Sequence, residues 1–140
     1  MTSPVLVTGG TGTLGRHVVR RLRGVGRHVR VLSRSSHEPE DGVRFVTGDL
    51  ATGEGIEAAV DGVETIVHLA GSAECDEDKA GNLVRAASQA GAPHLVYISV
   101  VGADRIPVES GLDRKMFGYF ASKRAAEHIV EDSGLPWTIL

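Results

Sequence analysis

The chain has 140 residues, enough for one domain that buries about two-thirds of the surface its unfolded form exposes. The charged share is 24% and the formal net charge -3, with arginines offset by acids rather than gathered into one basic block, which argues against a nucleic-acid partner. A single cysteine (Cys75), six scattered histidines without metal-ligand spacing, and an N-terminus, MTSPVLVTGG, without a basic leader or a membrane-length apolar run predict a soluble, cytoplasmic protein with no disulfide, no metal and no membrane span.

Short β-branched runs alternate with amphipathic stretches, the pattern of parallel strands joined by crossover helices. The first strand is predicted over Val5 to Thr8 and runs straight into a turn, VLVTGGTGTLG, with glycines at 9, 10, 12 and 15. Glycine lets the backbone turn tightly and approach a pyrophosphate with no Cβ in the way, and the helix that follows aims free N–H groups and a positive dipole end at phosphate. At a strand-to-helix junction this spacing is a dinucleotide fingerprint, which makes Gly9, Gly12 and Gly15 candidate cofactor residues. Leu14, Val18 and Leu22 then recur every four residues, Arg16, Arg20, Arg21 and Arg23 take the other faces, and the helix ends near Gly24.

The second strand, Val29 to Leu32, ends in VLSRSS. A nicotinamide cofactor lacking a 2′-phosphate commonly meets a carboxylate at this place, whereas a 2′-phosphate meets arginine. Ser33 and Arg34 offer hydroxyl and guanidinium donors and no acid, which favours NADP(H) over NAD(H); a solvated loop charge is the other reading of Arg34. Strands follow at Arg44 to Thr47 and Thr65 to Leu69, with a helix at Ile56 to Val60 between them. In the irregular GSAECDED, Glu74, Asp76, Glu77 and Asp78 read as the solvated start of a helix that runs from about Lys79 to Gln89 and turns Leu83, Ala86, Ala87 and Ala90 inward. A fifth strand (Leu95 to Val100), an irregular stretch (Gly102 to Gly118), a helix (Tyr119 to Asp132) and a sixth strand (Trp137 to Leu140) complete the order, with Gly62, Gly91 and Gly134 at helix ends.

With right-handed crossovers and one reversal of strand order, these elements predict an α/β fold, a doubly wound parallel sheet of the Rossmann kind with strand order 3-2-1-4-5-6. The stretch before Gly118 follows a strand's C-terminal end, where such sheets bind ligands, and ESGLDRKMFG within it reads as a candidate lid. The chain stops inside its sixth strand, leaving Trp137, Ile139 and Leu140 on a poorly protected edge, as expected of a truncated protein.

Tyr119 and Lys123 stand four apart on the last helix and share a face. A phenol ionises near pH ~10, and a neighbouring ammonium favours the phenolate, so the pair is suited to exchanging a proton with a carbonyl or alcohol. The alternative is a solvated Lys123 with Tyr119 packed on a loop.

TGGTGTLG, LSRS, GDL, VHLAG, YISVVGADR and Y-x-x-x-K, in this order and spacing, resemble the short-chain dehydrogenase/reductases. HLVYISVVGADRIP, followed by Y-x-x-x-K-x-x-A-E and SGLPWTIL, is similar more narrowly to their atypical, NmrA-like branch, and the resemblance covers essentially all 140 residues. It implies that residues 1–140 form the NAD(P)-binding Rossmann domain and that the C-terminal substrate-binding region of the family is absent. It implies further that Thr11, Gly12, Thr13 and Leu14 line the pyrophosphate, and that Arg34 faces the 2′-phosphate. Asp49 and Leu50 would flank the adenine, unless Asp49 caps a helix starting near Thr52. Leu69, Ala70 and Gly71 would pass beneath the cofactor, unless they are an ordinary strand exit. Tyr119 would protonate a carbonyl as hydride arrives, and Lys123 would bond the nicotinamide ribose. The family's serine or threonine after the fifth strand falls at Val100, with Ser99 as the neighbouring candidate. Asn82 resembles a packing position. Two functions stay open: an NADP(H)-dependent reductase of a small carbonyl or quinone, and a non-catalytic NADP(H)-binding redox sensor. A homo-oligomer is open in either case.

Overall fold

Six strands pair in parallel in the order β3-β2-β1-β4-β5-β6: β1 (Val5–Thr8), β2 (Val29–Ser33), β3 (Val43–Thr47), β4 (Thr65–His68), β5 (His94–Tyr97) and β6 (Trp137–Ile139). The helices are α1 (Thr13–Gly24), α2 (Ile56–Val60), α3 (Asp76–Gln89) and α4 (Gly111–Glu131). The computed structural model describes residues 3–71, 75–100 and 111–140, and within the last segment it describes side chains from residue 118 onward.

The sheet has a core on each face because successive strand residues point opposite ways. Leu6, Leu32, Ile66, Leu95 and Tyr97 turn to one face, where Ile56, Ala59, Val60, Leu83, Ala87, Ala126 and Val130 from α2, α3 and α4 close over them. Val5, Val7, Val29, Val31 and Val43 turn to the other and meet Val19 and Leu22 of α1. β1, flanked by β2 and β4, is the point at which the chain's direction across the sheet reverses, and the crevice outside its C-terminal end is the ligand position of such sheets.

The six expected strands and their order are the observed ones. The boundaries differ where tertiary packing overrides local pattern. α4 begins at Gly111, so Gly111 to Gly118 of the candidate lid is helix, and Gly118 is carried inside it at a cost of about 1 kcal/mol relative to alanine. Residues 101–110, which hold the rest of that stretch, lie outside the described residues, as does Glu74. α3 begins at Asp76 rather than Lys79, and β5 ends at Tyr97, where its pairing with β6 stops. Leu14, expected to face inward, is 48% exposed, because the first turn of α1 overhangs the end of the sheet. Trp137 and Leu140 are exposed on the β6 edge, as expected. Among the described residues no helix is long and apolar enough to cross a membrane.

Candidate active site

At the first strand-to-helix turn Gly9 adopts φ 69°, and a Cβ there would sit 2.8 Å from the Ala70 nitrogen. A Cβ on Gly15 would collide with the Gly9 carbonyl oxygen, so the turn closes only around glycine. Gly12 caps α1 with no side-chain hydrogen bond, and the helix has no acid in its first turn. Its leading N–H groups and the exposed Thr11, Gly12, Thr13 and Leu14 therefore face solvent with a positive dipole end behind them. Arg16 Nε steadies the turn through the Thr11 carbonyl at 2.9 Å. Beside it, a cleft of about 350 Å³ is lined by Arg16, Arg20, Arg23 and His37, with Glu40 as its acid. Ser33 at the end of β2 bonds His37 Nε2 at 2.9 Å, His37 stacks on Phe45, and Arg34 is exposed next to them.

At the end of β3, Asp49 Oδ1 accepts from the Ala51 N–H at 2.9 Å and forms a local turn; no helix starts at Thr52, since α2 begins at Ile56. Leu50 is buried against the core. Asn82 pins this loop from α3, its Nδ2 donating to the carbonyls of Leu50 (2.7 Å) and Ala51 (3.3 Å).

β1 and β4 are tied together where they end. Thr8 Oγ1 accepts from the N–H groups of Leu69 (3.1 Å) and Ala70 (3.2 Å), so its own proton turns to His68 Nδ1 at 2.6 Å. His68 is thereby the neutral tautomer with its proton on Nε2. Burial, and after it the charge of Lys123, pulls the His68 pKa from 6.5 to about 4. The ring stacks on Tyr97, whose buried hydroxyl has no hydrogen-bond partner among the described residues; burial first, then the nearby Asp76, raises the Tyr97 pKa.

α4 brings the last group of side chains. Lys123 is 5% exposed, with Nζ 5.6 Å from the centre of the Tyr97 ring and 5.5 Å from that of Tyr119. Its Nζ also lies 3.0 Å from Asp76 Oδ2. Tyr119 itself is 37% exposed at the mouth of this group. Ser99 Oγ donates to Glu127 Oε1, and Arg124 binds the other Glu127 oxygen at 2.7 Å. The structure thus brings Tyr119 and Lys123 together with the Gly71 strand exit, and it commits the Ser99 hydroxyl to Glu127. Lys123 is buried rather than solvated.

Asp76, His68 and Tyr97, which gather around Lys123, escaped the sequence. Asp76 was expected in a solvated acidic cluster and is instead 2% exposed. The available signal lay in strand parity: His68 follows Ile66 by two and Tyr97 follows Leu95 by two, so both had to face the helix-covered core. Among the described residues, no group of three or more His, Cys, Asp and Glu side chains gathers to hold a metal ion.

A parallel sheet that reverses direction at a strand end carrying an open glycine-rich turn defines the class of dinucleotide-binding domains. The family model described as NAD(P)H-binding matches residues 9–140, and the chain belongs to that family. It is 32% identical over 142 residues to the (4-alkanoyl-5-oxo-2,5-dihydrofuran-3-yl)methyl phosphate reductase of Streptomyces griseus, covering 97% of this chain and 46% of the relative. It is 30% identical over 148 residues to photosystem II assembly factor Ycf39 of Synechocystis, covering 97% of this chain and 43% of that protein. Among solved structures, MoeE5 in complex with UDP-glucuronic acid and NAD is similar with a TM-score of 0.77 at 27% identity, over 97% of this chain and 52% of that one. The chain spans about half the length of the curated relatives it matches. Its homologues fall in the atypical short-chain dehydrogenase/reductase group, an NAD(P)H-binding oxidoreductase family.

Proposed function

We propose that the chain is the NADP(H)-binding domain of an NmrA-like reductase that transfers hydride to a small carbonyl or quinone. One observation carries this reading: the Lys123 ammonium is buried beside the β4 exit with the Tyr119 ring 5.5 Å away, on the same strand-end edge as the glycine-rich turn. The residues present fit the cofactor. Side chains at Gly9 or Gly15 would fill the cradle, and α1 offers an anion a first turn free of acid. Thr11, Gly12, Thr13 and Leu14 would hold the pyrophosphate, Ser33 and Arg34 the 2′-phosphate, and Asp49 would border the adenine. Leu69, Ala70 and Gly71 would run beneath the nicotinamide end.

When bound, NADPH supplies the hydride. Tyr119 stands half in solvent and donates its Oη proton to the substrate oxygen. Lys123, held close to the phenol ring, would balance the negative charge left there and would donate to the cofactor ribose.

A specific observation favours a second reading. Ser99 gives its hydroxyl proton to Glu127, and Val100 stands where the resemblance expects a hydroxyl that polarises the carbonyl. A domain without that donor would hold NADP(H) as a redox sensor and report to a partner. Assaying quinones and aldehydes with NADPH separates the two. The reductase reading expects turnover that falls roughly 10²- to 10⁴-fold in Tyr119→Phe, the usual range for a lost general acid, with NADPH affinity little changed. Unchanged turnover in Tyr119→Phe removes Tyr119 from the chemistry, and tight NADPH binding with no turnover on any acceptor, in a protein that also carries the C-terminal substrate region the resemblance implies, supports the sensor.

A further inference from the structure

A carboxylate in the core needs a reason. Asp76 opens α3, its side chain is 2% exposed, and its Oδ2 lies 3.0 Å from Lys123 Nζ, which is itself almost fully buried. Taking two such charges out of water is expensive, and an apolar pair of similar volume commonly stabilises a fold as well or better. Stability alone therefore does not account for the pair. What it supplies is position. The Lys123 ammonium is boxed in by the Tyr97 ring, the Tyr119 ring, the Asp76 carboxylate and the backbone of Gly71, where an added Cβ would lie 2.5 Å from Nζ. The dipole of α3 favours a carboxylate at its first turn, so Asp76 is itself held in place by the helix it opens. Two described groups beside this box are already engaged. His68 is kept neutral by the Thr8 proton, and Glu127 is engaged by Ser99 and Arg124.

We propose that Asp76 is the positioning residue of this site: it anchors the Lys123 ammonium beside Tyr119 and the β4 exit, and Gly71 is the clearance that admits it. The proposal rests on the reading of Lys123 as a cofactor contact. In this proposal Asp76 acts through Lys123 rather than on the cofactor or the substrate.

A double-mutant cycle tests it, with NADPH affinity read by fluorescence titration and folding checked by thermal unfolding. Asp76→Asn is expected to weaken NADPH binding on the order of tenfold, within the coupling range of contacting groups. Asp76→Glu, which keeps the charge, is expected to restore most of it. In a Lys123→Met background, Asp76→Asn is expected to have no further effect. Equal weakening in both backgrounds, or wild-type affinity in a folded Asp76→Asn, overturns the proposal. Should Asp76→Asn not fold alone, the double variant, in which both charges are gone, still gives the comparison with Lys123→Met.

A second measurement needs no cofactor. In the free chain, reductive methylation of Lys123 is expected to lag behind that of the half-buried Lys79, and to become several-fold faster in Asp76→Asn. Unchanged protection overturns the proposal. Failure of the wild-type chain to bind NADPH would sink the functional reading, and the labelling result would still decide whether Asp76 holds Lys123.

Discussion

Acidification should reach this fold through His68 before most of its other groups matter. The ring is fully enclosed between β1 and Tyr97, accepts the Thr8 proton at Nδ1, and has a pKa near 4 in the folded state against 6.5 for a free imidazole. Above pH ~6.5 both folded and unfolded chains carry a neutral ring, and His68 contributes no pH dependence. Between about pH 6.5 and 4 the unfolded chain binds a proton that the folded chain refuses, so stability falls as pH falls. The separation of the two values corresponds to about 3 kcal/mol, fully lost below the folded value. That is a sizeable share of the roughly 5–15 kcal/mol available to a domain. Urea unfolding at a series of pH values from 8 to 4 measures it, with His68→Gln as the control that keeps a polar side chain and removes the titration. The wild type is expected to lose stability across this window with a slope the variant lacks. A flat wild-type profile between pH 6.5 and 4.5, or the same slope in His68→Gln, would refute the assignment of a neutral, enclosed imidazole.

Two further substitutions probe the cradle. Thr8→Val strips the acceptor from Ala70 N–H and the donor from His68 Nδ1, while Leu69 N–H keeps the Thr8 carbonyl at 3.2 Å. With one buried and one half-buried group orphaned it should cost about 2–4 kcal/mol in urea unfolding, and Thr8→Ser, which keeps the hydroxyl, should cost clearly less. Gly15→Ala forces a methyl against the Gly9 carbonyl and within 2.7 Å of Gly10 Cα, so it should lower stability by about 1–3 kcal/mol and weaken NADPH binding, both absent if the turn can relax around it.

The sheet was legible because its signals are local. Four-residue β-branched runs and a glycine turn at a strand end depend on neighbours in sequence, and they name the strand order once right-handed crossovers are assumed. The site was legible in its outline, since Tyr119 and Lys123 share a helical face whatever surrounds them. Asp76 was not. An acid in a run of acids reads as solvated until a lysine on a different helix comes within 3.0 Å of it, and only the packing of α3 against α4 decides that. The start of α4 was hidden for a related reason: Gly111 and Gly118 look like stops, yet LDRKMF between them consists mostly of residues compatible with a helix. Ser99 was a candidate by resemblance only. The resemblance offers it as the neighbour of Val100, strand alternation turns it to the opposite face, and its hydroxyl donates to Glu127.

The central claim, that this domain is built for a phosphorylated nicotinamide cofactor, is tested most directly by titrating NADPH and NADH side by side into the wild-type chain and Arg34→Ala. Charge-assisted hydrogen bonds from Arg34 and Ser33 to a 2′-phosphate, at about 1.5–3 kcal/mol, predict NADPH affinity at least tenfold above NADH in the wild type and a gap that largely closes in Arg34→Ala. Equal or tighter binding of NADH, or a preference for NADPH that survives in Arg34→Ala, would contradict it.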